Sequence, residues 1–160
     1  NKLANIEHMP AYFESLGIPQ PEIMAWVAAL TELVGGILLL GGLAVRWIVL
    51  PLMVTMAIAA TSAHWDNGWH VLPETELTMP WEWRTDLIEG ATERKAAAKD
   101  ILRKHGNYTW LTETGSFTIL KNGIEFAATY FLMLLALFFI GAGNYLSLDY
   151  WIARRYRRRD

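Results

Sequence analysis

One carboxylate inside a long apolar run is where chemistry could first reside. Glu32 stands in PEIMAWVAALTELVGGILLLGGLAV, residues 21–45. On a helix that rises about 1.5 Å per residue it would lie roughly 15 Å beyond Glu22, close to the middle of a hydrocarbon layer about 30 Å thick. A carboxyl group at that depth must be protonated or paired and must face protein rather than lipid. Glu32 is therefore read as a proton-handling residue, or alternatively as a hydrogen-bonding anchor between helices. His64 and Tyr130 are the companion donors that a catalytic role would use. A quinone, in particular, needs an apolar slot, a donor at each carbonyl and a route for protons. Glu32, Thr55, Thr61, His64 and Tyr130 could supply these in part, and Trp26, Trp47, Phe126, Phe131, Phe138 and Phe139 could line the slot. No cofactor is specified by the sequence itself; quinone is the class these groups could serve.

A second set of residues has ligand chemistry. His64, Asp66 and His70 fall within AHWDNGWH, and Glu125 opens the next apolar run. Two imidazoles and two carboxylates could hold Zn, Cu or non-haem iron. The spacing does not demand it, because residues six apart do not share a helix face. The alternative is a group of interfacial polar side chains bonded to a loop.

The elements that must position these residues are helical and apolar. Hydrophobic residues make up 53% of the 160-residue chain, more than a soluble domain of this size needs, and they come in long runs. Residues 1–20 are amphipathic, with Leu3, Ile6, Met9, Tyr12, Phe13 and Leu16 at helical spacings. They predict a short interfacial helix interrupted at Pro10 and closed by Gly17 and Pro19. Pro21 suits the first turn of the Glu32 helix, which should end at Gly41-Gly42. Gly35 and Gly36, with Ala28 a turn earlier, form a small-residue face that admits a neighbouring backbone. Further spans are predicted over residues 47–64 and 124–145.

Charge placement sets the expected topology. Arg46 is the one charge between the first two spans, and Arg154 and Arg155 begin an Arg-rich tail, residues 150–160. By the positive-inside tendency both lie in the cytoplasm, which leaves residues 65–121 outside. Arg46 is about 21 Å along the axis from Glu32, so the two cannot pair within one helix. The tail could anchor to anionic headgroups or dock on an acidic subunit. In the outer segment, residues 84–105 predict a surface helix capped by Gly106, while five Trp residues are of the kind found at headgroup level. A net charge of −2 argues against a nucleic-acid partner, and the absence of cysteine excludes disulfides, thiolate metal sites and thiol–disulfide exchange.

Taken together, several motifs resemble those of a known family. Lys2-Leu3 leads to a segment ending Leu16-Gly17-Ile18-Pro19, followed by Glu32-x-x-Gly35-Gly36 and by Gly41-x-x-x-x-Arg46. This resembles the first half of the DoxX family. Gly141-Ala142-Gly143 followed by Ser147-Leu148-Asp149 is similar to the signature that closes the family's last helix. The resemblance covers residues 1–64 and about 122–150. It implies a small four-helix membrane protein, a further helix ahead of Lys2, and a link to membrane redox systems, among them a thiosulfate:quinone oxidoreductase. The Trp-rich outer segment is longer than the family's usual connection, and the Arg tail is an addition.

The expectation is thus an all-α integral membrane four-helix bundle with three spans in this sequence. A partly helical extracytoplasmic insertion spans residues 65–121, and the bilayer is a bacterial-type inner membrane. Its partners would be lipid and other membrane protein subunits. Two functions are expected: an accessory component of a membrane redox or respiratory complex, or a quinone-reactive oxidoreductase that uses Glu32.

Overall fold

The computed structural model describes residues 6–157, and every regular element among them is helical. Two compact units are present: Asn1–Ala63 with Ala127–Asp160, and His64–Phe126. Lys2 and Leu3, named above, and residues 158–160 of the Arg-rich tail lie outside the described residues.

In the first unit a 3-10 turn, Ile6–His8, leads into α1, Met9–Ser15. Pro10 does not interrupt this helix. It sits in the first turn, where its missing N–H would have had no intrahelical partner anyway. Gly17 closes the segment at φ +70°, and α1 packs against α2, Pro21–Gly41. Pro21 occupies the first turn of α2 as expected. The helix stops where Gly42, at φ +63°, turns its N–H back to the Leu38 and Leu39 carbonyls. Only glycine adopts that left-handed cap without a Cβ penalty.

Helix α3, Val45–Ile58, packs on α2 at Gly35, where an added Cβ would come within 2.9 Å of Leu52 Cδ1. A Cβ on Gly36 would meet nothing within 4 Å, so only one of the paired glycines makes the close approach. Beyond Ile58 the helix widens to a π-helical turn, Ala59–His64, and tightens to a 3-10 turn, Trp65–Asn67. The continuous run Val45–Asn67 is 23 residues long. The core joins Val45, Val49 and Leu52 of α3 to Leu134 of α7, Glu125–Ile140, with Leu39 and Phe138 packed against them.

Pro21–Gly41 and Val45–Asn67 are long and apolar enough to cross a membrane. Helix α7 is equally apolar, but its 16 residues cover about 24 Å. The sequence predicts a span reaching residue 145; the helix ends instead at Gly141, which takes φ +75°. The outer faces of these helices are apolar: Leu40 is 92% exposed, Trp47 78% and Phe139 70%. Apolar surface of that extent is what lipid, not water, covers. The unit closes with α8, Leu148–Arg157.

The second unit is drawn together at its two chain ends. Lys121 and Asn122 donate backbone N–H groups to Val71 O, Gly123 to His70 O, Ile124 to Gly68 O and Glu125 to Trp69 O, at 2.8–3.1 Å. Gly123 is required there, since a Cβ would lie 2.6 Å from Gly68 O. Between these ends lie α4, Thr85–Ile88, α5, Ala91–His105, and α6, Tyr108–Leu111. The single helix expected over 84–105 is thus two, broken where Gly90 adopts φ +72°; Gly106 follows α5 as expected. The Trp residues largely pack on one another. Trp65 stacks on Trp83 at 4.7 Å between ring centres, and Trp69 meets Trp81 edge-on at 6.0 Å.

Candidate functional site

Glu32 occupies a half-buried position on α2, on the face that also carries the buried Ala25, Ala29 and Gly35. Of the small residues expected there, Gly35 is buried, whereas Ala28 and Gly36 are only half-buried; Ala25 and Ala29 are the other buried small residues on that face. Of the expected hydroxyl donors, Thr55 gives its proton to Pro51 O at 3.0 Å and Thr61 gives its own to Ala57 O at 2.9 Å. Both are bonded back onto their own helix, a common fate of Thr within an apolar helix. Tyr130 lies exposed on α7. Trp26, Trp47, Phe126 and Phe139 are exposed as well, whereas Phe138 packs on the core, so most of the aromatic residues face outward instead of lining a slot.

The most elaborate polar construction in the first unit joins two turns. Ser147 caps α8: its hydroxyl accepts the Tyr150 N–H at 3.3 Å and donates to Gly143 O. Two residues on, Asp149 reaches across to the start of α3. Its carboxylate accepts the Ala44 N–H at 2.8 Å and the Val45 N–H at 3.3 Å, and its own N–H donates to Gly42 O at 3.1 Å. A carboxylate there satisfies helix N-terminal donors and suits the positive end of the helix dipole. Gly42 lies so close to Ser147 that an added Cβ would come within 2.8 Å of Ser147 Cα.

Arg46 completes this clasp. Its guanidinium donates to Phe139 O at 3.3 Å, near the carbonyl end of α7, where positive charge is favoured. A Cβ on Gly141 would approach Arg46 Nε to 3.0 Å, so glycine leaves room for the guanidinium. The motifs around residues 41–46 and 141–149 are thereby assigned a mechanical task, which is holding the α2–α3 turn to the α7–α8 turn. Along α8 the Arg154 guanidinium lies 5.4 Å from the Trp151 ring centre, beside the exposed Leu148 and Ile152.

In the second unit the expected ligand residues are dispersed. His64 Nδ1 lies 2.8 Å from Asn122 O, and the Asp66 carbonyl accepts from Arg84. His70 and Glu125 do meet, at 3.6 Å through Nδ1, and Glu125 also accepts the Val71 N–H at 3.1 Å. The other ring nitrogen of His70 faces Glu74 Oε1 at 2.7 Å, and the Thr78 hydroxyl donates to the same oxygen. Glu74 Oε2 is buried with no hydrogen-bond partner among the described residues. Among the described residues no group of three or more His, Cys, Asp or Glu is placed to hold a metal ion.

Sequence reasoning missed Glu82. Its side chain is fully buried between Gly68 and Lys121, and Lys121 Nζ lies 2.8 Å from Oε2. Trp69 N–H at 3.1 Å and Arg84 N–H at 2.9 Å complete its donors. Burial pushes the carboxyl pKa up, but the Lys121 hydrogen bond and the two backbone N–H groups outweigh it and hold the pKa below the ordinary glutamate range. Nearby, an exposed Arg84–Asp86 pair, 2.7 Å apart, lowers the Asp86 pKa by hydrogen bonding. The one signal for Glu82 in the sequence is its setting between Trp81 and Trp83, where a charge has little water.

This arrangement is that of a helical protein with two helices long and apolar enough to cross a membrane, whose polar groups serve mainly to lock helix ends and to frame a second unit. Residues 1–65 match the model of the DoxX family, in agreement with the resemblance carried by Glu32-x-x-Gly35-Gly36 and Arg46. The family match and the apolar helices together point to a membrane protein. Comparisons with curated proteins and with solved structures found no match.

Proposed function

We propose that this chain is an accessory, interaction-bearing component of a membrane redox or respiratory complex. The observation that carries the reading is the second unit's surface. It has its own internal frame, yet Leu72, Leu77, Trp81, Trp110, Ile119 and Leu120 are left uncovered on it. Aromatic and aliphatic side chains exposed on a framed unit are the usual anchors of a protein–protein contact. The redox context comes from the DoxX resemblance. The orientation proposed is a cytoplasmic Arg46 turn and tail with the second unit outside, in a bacterial-type inner membrane. In its support, the Arg46 turn and the start of α8 are joined by the Asp149 clasp. Helix α7 is proposed as a third span of a four-helix bundle. Extraction of the tagged protein from its native membrane in mild detergent should recover stoichiometric membrane subunits. Trp110→Glu with Leu77→Glu should lose them while the protein stays folded, and a lone monomer recovered under crosslinking would overturn the reading.

A second reading is favoured by Glu32. A half-buried carboxyl group amid Ala25, Ala29 and Gly35 is costly to keep for packing alone. It could handle the proton of a quinone, with Tyr130 as donor in place of the self-bonded Thr55 and Thr61. Glu32→Gln keeps shape and removes the titrating group. Quinone turnover unchanged in that variant would exclude this mechanism.

A further inference from the structure

The second unit contains a cavity of about 230 Å³ to which neither reading assigns a ligand, although its rim shares Ile119 and Leu120 with the uncovered surface. Its walls are apolar, supplied by Pro73, Leu87, Ala91, Ile119 and Leu120. Its charged groups are all cations: Arg94, Lys95 and Lys121, with no acidic residue in the lining. The three are not equivalent. Lys121 is neutralised by Glu82, and Arg94 is tied to Leu87 O at 2.6 Å but forms no ion pair among the described residues. Lys95 is half-buried, and its side chain has no hydrogen bond or ion pair among the described residues. A lysine that lines a cavity with no acceptor for its ammonium is a group that an incoming anion would pair. Ala91 brings the first turn of α5 to the same wall, which adds a small positive potential.

We propose that this cavity binds a small organic carboxylate with an apolar body. The carboxylate lies on Lys95 and Arg94, and the body rests against Leu87, Ile119 and Leu120. A neutral apolar molecule would leave Lys95 unpaired, and an inorganic oxyanion would leave the walls in contact with water. The volume lies below the roughly 300–1,000 Å³ of sites for drug-sized ligands, so the occupant is about as large as a single substituted ring or a short acyl chain. This goes beyond the accessory reading and does not depend on it.

Benzoate, its neutral isostere benzamide, and sulfate separate the contributions. Each is titrated into the full chain in detergent while the amide resonances of Ala91, Lys95 and Leu120 are followed. Benzoate should give saturable shifts, with benzamide about tenfold weaker for the lost ion pair and sulfate about tenfold weaker for the lost apolar contact, each ratio corresponding to about 1.4 kcal/mol. Lys95→Gln should weaken benzoate about tenfold and leave benzamide unchanged, whereas Lys95→Arg should retain benzoate. Benzamide bound as tightly as benzoate would show the cations idle, and sulfate bound as tightly would show the walls idle. Either result, or no saturable benzoate shift, overturns the proposal.

Discussion

In the unit of Asn1–Ala63 with Ala127–Asp160, the polar clasp lies at helix ends; in His64–Phe126, a charged pair lies fully inside. Asp149 and Arg46 each meet backbone groups that a helix leaves unsatisfied, and apolar contact among Val45, Val49, Leu52 and Leu134 fills the space between helices. The second unit has only short helices around α5 and little aliphatic core. It is framed by backbone bonds between residues 68–71 and 121–125, with Glu82 and Lys121 at the centre. Where lipid can cover outward faces, a helical unit needs polar groups chiefly as end caps. The second unit, whose one long helix is α5 and whose buried aliphatic residues are few, must use polar groups internally, and each then becomes costly to lose.

The contrast is easiest to break at Glu82. Glu82→Ala leaves the Lys121 ammonium buried and unpaired, which should cost about 3–5 kcal/mol. Hydrogen exchange should show the Trp69 and Arg84 amides losing protection while Ala44 and Val45 keep theirs. Replacing the pair together, as Glu82→Leu with Lys121→Met, should restore most of that loss. Gly42→Ala comes next. Its positive φ and the approach to Ser147 make a cost of about 2–3 kcal/mol, read as a lowered unfolding temperature in detergent. Asp149→Ala removes the cap on α3 and should cost about 1–2 kcal/mol, with lost protection at Ala44 and Val45; Asp149→Asn should retain part of it.

Acid sharpens the same comparison with a smaller effect. The folded-state pKa of Glu82 lies below its unfolded value. The stability it contributes is therefore fully present above the ordinary glutamate range and is lost as pH falls through the lower folded value. Exchange of the Trp69 amide should accelerate in that acid window. In Glu82→Gln the acceleration should flatten, because the group that takes up the proton is gone.

How much of this could be read from residues alone depended on how local the cause was. The start of α2 at Pro21 and its end at Gly41-Gly42 were legible because proline and glycine set backbone angles by themselves. The stop of α5 before Gly106 was legible too, although Gly106 takes an extended φ of −136° that any residue could adopt. Gly90 and Gly141 carry the same information, yet their runs remained helical in hydrophobic pattern on both sides, and the breaks were passed over. The Glu32 face was visible from helical spacing, although spacing could not say that Gly35 and not Gly36 meets Leu52. What stayed hidden were pairings across the chain. Asp149 caps an N–H 105 residues away, and Glu82 finds its lysine 39 residues on. The π-helical turn at Ala59–His64 has no residue signature at all, and Glu74 joins His70 only because the loop folds back.

The central claim is that the uncovered apolar groups of the second unit hold a membrane partner. It is tested most directly by placing a photo-crosslinking residue at Trp81 or Trp110 in the native membrane, with Asp100 on α5 as the control position. The account predicts one discrete protein adduct from positions 81 and 110 and none from position 100. Adducts to lipid alone at all three positions would contradict it.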